Sequence, residues 1–540
     1  MVVPELRPWR AARPQVVRIA NAVRPRLTRA VTAAKPGVAR LTKAVRPGPA
    51  HLPRPRAVRT WQYTAGAATA GLALAAGVVT VAGPWDANGQ RTAERDRAAA
   101  LERSGGADHG DSGTSPRGPR PAPSAPAVLT GLGGTTGTVS TKKAPPDRQA
   151  LADVLGPLLD ASALGGGHAA AVVDVSTGKQ LYGTAAGQAF TPASTTKIAT
   201  AVAALSALGP DHRLTTRAAL EPDTKELVLV GGGDPTLTAH PKAGGEARSG
   251  GSWASLRTLA ADTAAALKKR GIVKITLSYD TTLFSGPALH PIGVNDNLAP
   301  VSALAADEGR TDDSASGPAT RVSDPAADTA HKFADYLQKA GIKTTPPGPS
   351  KATNRAETLA TVSSPPLSAL VERMLTNSDN DIAEALARQT ALASGRAGSF
   401  DGGAKAIATQ LTKLGLPMSG ASFHDGSGLN RDDRLTANLL TALLVKAADP
   451  ARPGLRPVLT GLPVAGFTGT LAGRYTDGAA GVVRAKTGTL TGVNTLAGTV
   501  VDQDGHLLAF AFLASDTTNP QEAQTALDKT ATALAGCGCR

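Results

Sequence analysis

An α+β fold built on an antiparallel sheet is predicted from three observations. Three strand-like runs follow one another near the C-terminus (482–489, 495–502 and 506–514), a helix-like run at 522–534 comes after them, and the rest of the body mixes helical with alternating periodicity. Asp504-Gly505 between the last two runs is a hairpin signal. Helical spacing further predicts helices over 148–160, 198–208, 256–270, 326–340, 367–376, 382–393, 404–414 and 436–448. Strands are predicted over 169–175, 179–182, 226–230 and 273–279.

The N-terminal region is of another kind. The 540 residues carry 57 Lys+Arg against 43 Asp+Glu, a formal charge of +14, and residues 1–60 alone hold 14 of the basic residues with the single acid Glu5. The other 480 residues are close to neutral, so the high basicity belongs to a tail and a nucleic-acid-binding body is excluded as the default. From Thr60 to Trp85 there is no charged residue, a run long enough to cross a bilayer as a helix. The positive charge before it predicts a cytoplasmic tail (1–60), a single-pass anchor in the cell membrane (61–85) and an extracytoplasmic body. A long cleaved signal peptide ending near Val81-Ala82-Gly83 is the competing reading. Arg13-Pro14, Arg24-Pro25, Lys35-Pro36 and Arg46-Pro47 recur every 11 residues, which fits either short basic helices on anionic lipid or a disordered flank. Between Ser104 and Pro146, 27 of 43 residues are Gly, Pro, Ser or Thr, so 86–146 is expected to be a disordered linker.

Chemistry must come from the body. The 17 aromatic residues of the whole chain leave the core to Ala, Val and Leu, and two cysteines, Cys537 and Cys539, exclude a disulfide scaffold or a four-thiolate zinc site. The nine histidines show no His-Glu-x-x-His spacing, which leaves a zinc peptidase unsupported, and no Gly-x-Ser-x-Gly elbow marks an α/β-hydrolase. Gly231-Gly232-Gly233 follows a strand without a Gly-Lys-Ser/Thr, so a tight turn is expected there rather than a phosphate loop.

Ser-x-x-Lys occurs three times, at Ser140–Lys143, Ser176–Lys179 and Ser194–Lys197. The first falls in the linker and the second in a turn between strands. Only the third opens a helix, where spacing i, i+3 puts amine and hydroxyl on one face and the helix N-terminus offers N–H groups to an oxyanion. A capping serine beside a surface lysine is the alternative. Asn377-Ser378-Asp379-Asn380 lies between two helices, either presenting Ser378 and Asn380 side by side or simply capping the second helix. Ala485-Lys486-Thr487-Gly488-Thr489 lies on a strand, with Lys486 and Thr487 facing opposite ways and Gly488 allowing a ligand backbone to approach; an exposed edge lysine is the bland account.

The order of these three segments resembles the signature of the penicillin-recognising serine acyltransferases. Phe190-Thr191-Pro192-Ala193-Ser194, Gly231-Gly232-Gly233-Asp234-Pro235-Thr236-Leu237, Ser364-Pro365-Pro366-Leu367 and His424-Asp425-Gly426-Ser427-Gly428-Leu429-Asn430-Arg431 narrow the resemblance. Together with Lys486-Thr487-Gly488-Thr489-Leu490, they look like the D-alanyl-D-alanine carboxypeptidase/endopeptidase family of class C low-molecular-mass penicillin-binding proteins, over roughly 150–535.

The resemblance implies a β-lactamase/transpeptidase-like fold, a five-stranded antiparallel sheet flanked by helices, with a smaller inserted domain. The expected boundaries are 147–214 with 345–540 for the peptidase domain and 215–344 for the insertion. It also implies peptidoglycan stem peptides as substrate, β-lactams as covalent inhibitors, and no cofactor or metal. Ser194 would be the nucleophile, Lys197 its base, Ser378 a proton relay to the leaving amine, Asn380 a substrate holder and Lys486 a second cation. Thr487, Gly488 and Thr489 would bind substrate, with the N–H groups of Ser194 and Thr489 as oxyanion hole. Ser427 and Arg431 match positions near the stem-peptide side chain, against the plainer reading of a turn with a solvated arginine. A β-lactamase is the enzymatic rival, though no Glu-x-x-Leu-Asn segment is present to position a hydrolytic water. A catalytically inactive peptidoglycan-binding protein is the rival of another class. Only 184 residues separate Ser194 from Ser378, short for this family, so the insertion is expected to be reduced.

Overall fold

In the computed structural model residues 146–240, 253–475 and 478–539 are described. The basic tail, the expected anchor at 61–85 and the linker up to residue 145 lie outside them. Among the described residues no helix is long and apolar enough to cross a membrane.

Helix α1 (Arg148–Leu159) begins where the Asp147 carboxylate accepts from the N–H groups of Gln149 and Ala150, and it buries Leu151, Leu155 and Leu159 at four-residue spacing. Strands β1 (Gly167–Asp174) and β2 (Gln180–Thr184) are joined by the turn holding Ser176, whose hydroxyl is bound to Asp174. After the short β3 (Ala189–Phe190), one 3₁₀ turn (Ala193–Thr195) runs into α2 (Thr196–Leu208). The chain then enters a second region: β4 (Thr215–Leu220), β5 (Glu226–Val230), α3 (Leu256–Lys269), β6 (Lys274–Asp280), α4 (Pro325–Lys339), β7 (Lys343–Thr344), β8 (Gly348–Pro349) and β9 (Glu357–Ser363). It returns through α5 (Leu367–Asn377), α6 (Asn380–Ala393), α7 (Phe400–Lys413), β10 (Leu435–Thr436), α8 (Ala437–Ala448) and α9 (Pro457–Thr460). The chain closes with β11 (Arg484–Leu490), β12 (Val493–Val501), β13 (Leu507–Ser515) and α10 (Pro520–Ala535).

The first sheet has the order β11-β12-β13-β1-β2 and every neighbouring pair is antiparallel. Strand β13 is buried on both faces, and its two faces carry residues of different size. Ala509, Ala511 and Leu513, with Ala169 and Ala171 of β1, face the core shared with α2, α5, α6, α7 and α8. Phe510 and Phe512, with Ala170 and Val172 of β1, face α1 and α10. Small side chains on the first face let α8 lie close to the sheet, and the few aromatics fill the second. The hairpin from β12 to β13 turns through Asp502, whose side chain accepts from the N–H groups of Asp504 and His506, and Gly505 takes φ +87°.

The second sheet has the order β7-β6-β5-β4-β9, with β8 paired to β6. It is mixed, because α3 connects β5 to β6 and returns the chain parallel. Strands β4 and β9 were absent from the sequence reading: β9 is half-exposed along its length, and neither strand alternates strongly. Their pairing also moves one boundary. The outgoing and returning segments are antiparallel neighbours from Thr215↔Ser363 onward, and Leu214 and Ser364 exchange two hydrogen bonds just outside them. The second sheet therefore runs along the chain from Thr215 to Ser363, past the boundary expected at 344. Gly232 of the glycine run sits where any Cβ would collide with the Thr215 backbone at this junction.

Candidate active site

Ser194 lies in the 3₁₀ turn before α2, following Ala193, which is held at φ +47°. One turn on, Lys197 has no solvent exposure. Its Nζ donates to Ser194 Oγ (2.9 Å), Asn380 Oδ1 (2.6 Å) and the Ser427 carbonyl (2.7 Å), which uses all three donors of an ammonium. Burial lowers the Lys197 pKa to about 8, against the opposing pull of Asp425, Glu384, Asp379 and Asp381.

The second segment reaches the same place from the other side. Helix α5 ends at Ser378, in the left-handed conformation (φ +59°), and the chain reverses into α6, capped by the Asp379 carboxylate accepting from Ile382 N–H. The reversal aims Ser378 Oγ at Lys486 Nζ (2.8 Å), while Asn380 bridges Lys197 and, through Nδ2, the Asn297 carbonyl (2.9 Å). Both readings of this segment hold at once: Asp379 caps the helix, and the residues on either side of it face the cleft.

The third segment is the edge strand β11. Lys486 is buried beneath it, while Thr487 and Thr489 line the cleft above. Burial, then the charges of Lys197 and Arg474, lower the Lys486 pKa well below that of a free lysine. Burial is therefore the largest influence on both amines, and Lys486, expected as the second cation beside Lys197, is itself depressed by the charge of Lys197. Gly488 also has a use within the chain itself. A Cβ there would collide with Thr495 Oγ1 and stand 2.7 Å from the Pro192 carbonyl and 3.1 Å from Ala193 Cβ. What approaches the strand is the turn carrying Ser194, and Thr495 of β12 binds the same carbonyl (2.8 Å).

A cleft of about 320 Å³ opens over these groups, lined by Ser194, Ser378, Asn380, Thr487 and Thr489 together with Asn297, Arg310, Arg321, Leu429 and Thr470. Ser427 and Arg431 are not among its walls. The Ser427 side chain is fully buried and donates to Asp425, so this residue meets the site through its carbonyl on Lys197. The Arg431 guanidinium is bound to the Thr491 carbonyl (3.0 Å). Of the other Ser-x-x-Lys pairs, Ser176–Lys179 sits in the β1–β2 turn and Ser140–Lys143 lies outside the described residues.

Sequence reasoning missed the support under Lys197. Glu384 is one helical turn after Asn380 on α6, and it accepts from the N–H groups of Gly426 and Ser427. Asp425 accepts from Gly428 and Asn430 N–H and pairs with His290 (3.0 Å). Together they clamp the loop whose carbonyl holds the amine. Burial tends to raise Asp425, but its bonds to His290, Asp433, Gly428 and Asn430 outweigh it and lower the pKa. Asp433 alongside is pushed up to about 10 by burial and by Asp425. The i, i+4 spacing of Asn380 and Glu384 was the available signal; nothing marked His290, 135 residues from its partner. Two buried groups among the described residues could surround a metal by distance, His290/Glu384/Asp425 and Glu308/Asp379/Asp381. Backbone N–H groups occupy oxygens of the first and guanidinium groups face the second, so neither is an open ligand set.

Known proteins resemble this chain in sequence and in fold. The sequence matches the D-Ala-D-Ala carboxypeptidase 3 (S13) family over residues 150–319 and 312–534. It is 38% identical over 382 residues to carboxypeptidase DacB of Mycolicibacterium smegmatis, covering 68% of this chain and 80% of that one. It is 29% identical over 435 residues to the D-alanyl-D-alanine carboxypeptidase of Actinomadura sp., covering 65% and 78%. In fold it is similar to penicillin binding protein 4 (dacB) from Haemophilus influenzae, with a TM-score of 0.58 at 22% identity over 71% of this chain and 98% of the other. The same protein complexed with a novel β-lactam aligns with a TM-score of 0.55.

Proposed function

The chain belongs to the D-Ala-D-Ala carboxypeptidase 3 (S13) family and is a serine-type D-Ala-D-Ala carboxypeptidase, in which we propose that Ser194 is the nucleophile and Lys197 its base. The observation that carries this assignment is the 2.9 Å contact between Ser194 Oγ and an amine with no exposure to water. With a pKa of about 8, roughly a tenth of that amine is neutral at pH 7 and able to take a proton.

Ser194 Oγ attacks the carbonyl between the two D-alanines of a stem peptide as Lys197 accepts its proton. The N–H groups of Ser194 and Thr489 receive the oxyanion. The C–N bond breaks, and Ser378, held by Lys486, passes a proton to the departing amine. Thr487 and Thr489 take the terminal carboxylate, and Asn380 keeps the substrate amide in register. Water then hydrolyses the Ser194 ester. A cross-link presents the same carbonyl joined to a neighbouring stem's amine, so endopeptidase cleavage uses the same steps. A β-lactam presents a strained amide to the same serine, consistent with the β-lactam complex of the Haemophilus protein. The uncharged run 61–85, after 14 basic residues, supports a membrane anchor holding the enzyme at the outer face.

Labelling with a fluorescent penicillin, followed by mass spectrometry of the acylated peptide, tests the assignment. A stable adduct on the peptide containing Ser194, lost together with D-alanine release in Ser194→Ala, is expected. An adduct on another residue, or D-alanine release that survives the substitution, overturns it.

A further inference from the structure

The insertion carries an unusual piece of backbone close to the cleft. Asp307, Glu308 and Gly309 are consecutive residues with φ of +53°, +56° and +64°. Two of them bear side chains, for which the left-handed region is sterically unfavourable. The turn is nevertheless tightly determined. Asp307 and Glu308 donate their N–H groups to the Leu237 and Pro235 carbonyls, and the Asp307 carboxylate accepts from Thr238 and Ala239.

The result of this conformation is the placement of Glu308, whose side chain is 2% exposed. Its two carboxyl oxygens meet two guanidinium groups: Arg310 Nε at 2.9 Å and the Arg373 terminal nitrogen at 2.6 Å. Arg373 belongs to α5, five residues before Ser378. It stacks on the Trp253 ring (4.9 Å), donates to the Ala315 carbonyl (3.0 Å) and faces Asp379 (3.6 Å), the cap of α6. Arg321 binds the Glu308 carbonyl with one terminal nitrogen (2.5 Å) and Asp381 with the other (3.1 Å). Ala299 N–H is bound to Asp381 as well (3.0 Å). Thus Asp381 is held directly from the insertion, and Asp379 faces Arg373, the arginine that Glu308 binds.

We infer that Glu308 is a positioning residue for the reaction: from the left-handed turn of the insertion, through Arg373 and Asp379, it sets where Ser378 and Asn380 stand against Lys486 and Lys197. Burial and the adjacent Asp379 carboxylate push the Glu308 pKa up to about 8, against the opposing pull of Arg373. A glutamine keeps the chain length and one of the two acceptor oxygens but turns its NH2 toward the other guanidinium; an alanine supplies neither oxygen. The reduced insertion is in this way part of the machinery that shapes the cleft. The inference rests on the roles of Ser378 and Asn380 proposed above.

The test is stopped-flow acylation of the full chain by a reporter penicillin, with non-covalent binding separated from the acylation step, and the thermal midpoint recorded beside it. Glu308→Ala should slow the acylation step by about 10- to 100-fold with binding little changed, the size of loss that an ångström-scale misplacement brings. Glu308→Gln, which keeps one of the two acceptor oxygens, should recover part of the rate. Glu308→Asp, which withdraws the carboxyl by one methylene, should lie between and replaces the alanine variant if that chain does not fold. Parent-like acylation in Glu308→Ala or Glu308→Asp overturns the inference, as does a loss confined to binding. Parent-like acylation in Ser378→Ala would instead remove the role on which the inference stands.

Discussion

Two halves of the cleft hold their groups in contrasting ways. On one side Lys197 reaches Ser194 across a single helical turn, so the contact is built into α2 once the helix forms. On the other, Ser378 and Asn380 depend on partners far along the chain: Lys486, 108 residues after Ser378, Asn297, 83 residues before Asn380, and the Glu308–Arg373 pair. The first half draws its geometry from local backbone and its pKa from burial. The second is a left-handed reversal that stands where it does only because three other segments press on it. Catalytic power is thus exposed to two different kinds of damage. Change within α2 removes a chemical group; change elsewhere displaces groups that remain present.

That contrast can be broken most sharply at Lys197. Lys197→Met keeps a long apolar side chain and removes the base, and acylation by penicillin should fall by about 10²- to 10⁴-fold while the protein stays folded by circular dichroism. Acylation close to the parent rate would show that the second half supplies the base. Gly488→Ala tests displacement in the first half without touching a reacting group. Its methyl must displace the Thr495 hydroxyl from the Pro192 carbonyl and push back the turn bearing Ser194 or bend β11, and a loss of roughly 10- to 100-fold in the acylation step is expected. An unchanged rate would mean the turn yields without consequence.

The pH profile sharpens the comparison further. Lys197 takes a proton only when it has none, so acylation should be slow at low pH, rise as pH increases and level off above about 8. Between pH 7 and the plateau the gain should be about tenfold. A profile flat from pH 6 to 9 would assign the base to a group other than Lys197.

Legibility in the sequence followed the same division. Ser194-Thr195-Thr196-Lys197 opens an Ala-rich helix and could be read from spacing, as could the hairpin at Asp504-Gly505 and the run of buried strands leading to α10. The turn at Ser378 was legible as a break between helices, but its left-handed backbone was not, because serine has no special preference for it. Gly488 was visible as a glycine in a strand, yet what it admits is the chain's own Pro192 carbonyl, a neighbour almost 300 residues away. Strand β9 escaped because half-exposed Thr and Ala carry little alternation, and with it went the edge of the second sheet. Ser427 was placed against substrate by its motif, whereas its side chain turns inward to Asp425 and only its carbonyl serves the site.

The amino-acid order by itself determined the local devices: where helices begin, where the C-terminal strands and their hairpin lie, and that a serine and a lysine share one helical face. These rest on periodicity and capping, which act over a few residues. Only the tertiary structure decided that Lys197 and Lys486 are sealed from water, that Ser427 contributes a carbonyl, and that Glu308 reaches across to the turn at Ser378. Burial and long-range pairing are properties of how distant segments pack, and a pKa or a contact angle exists only after they have met.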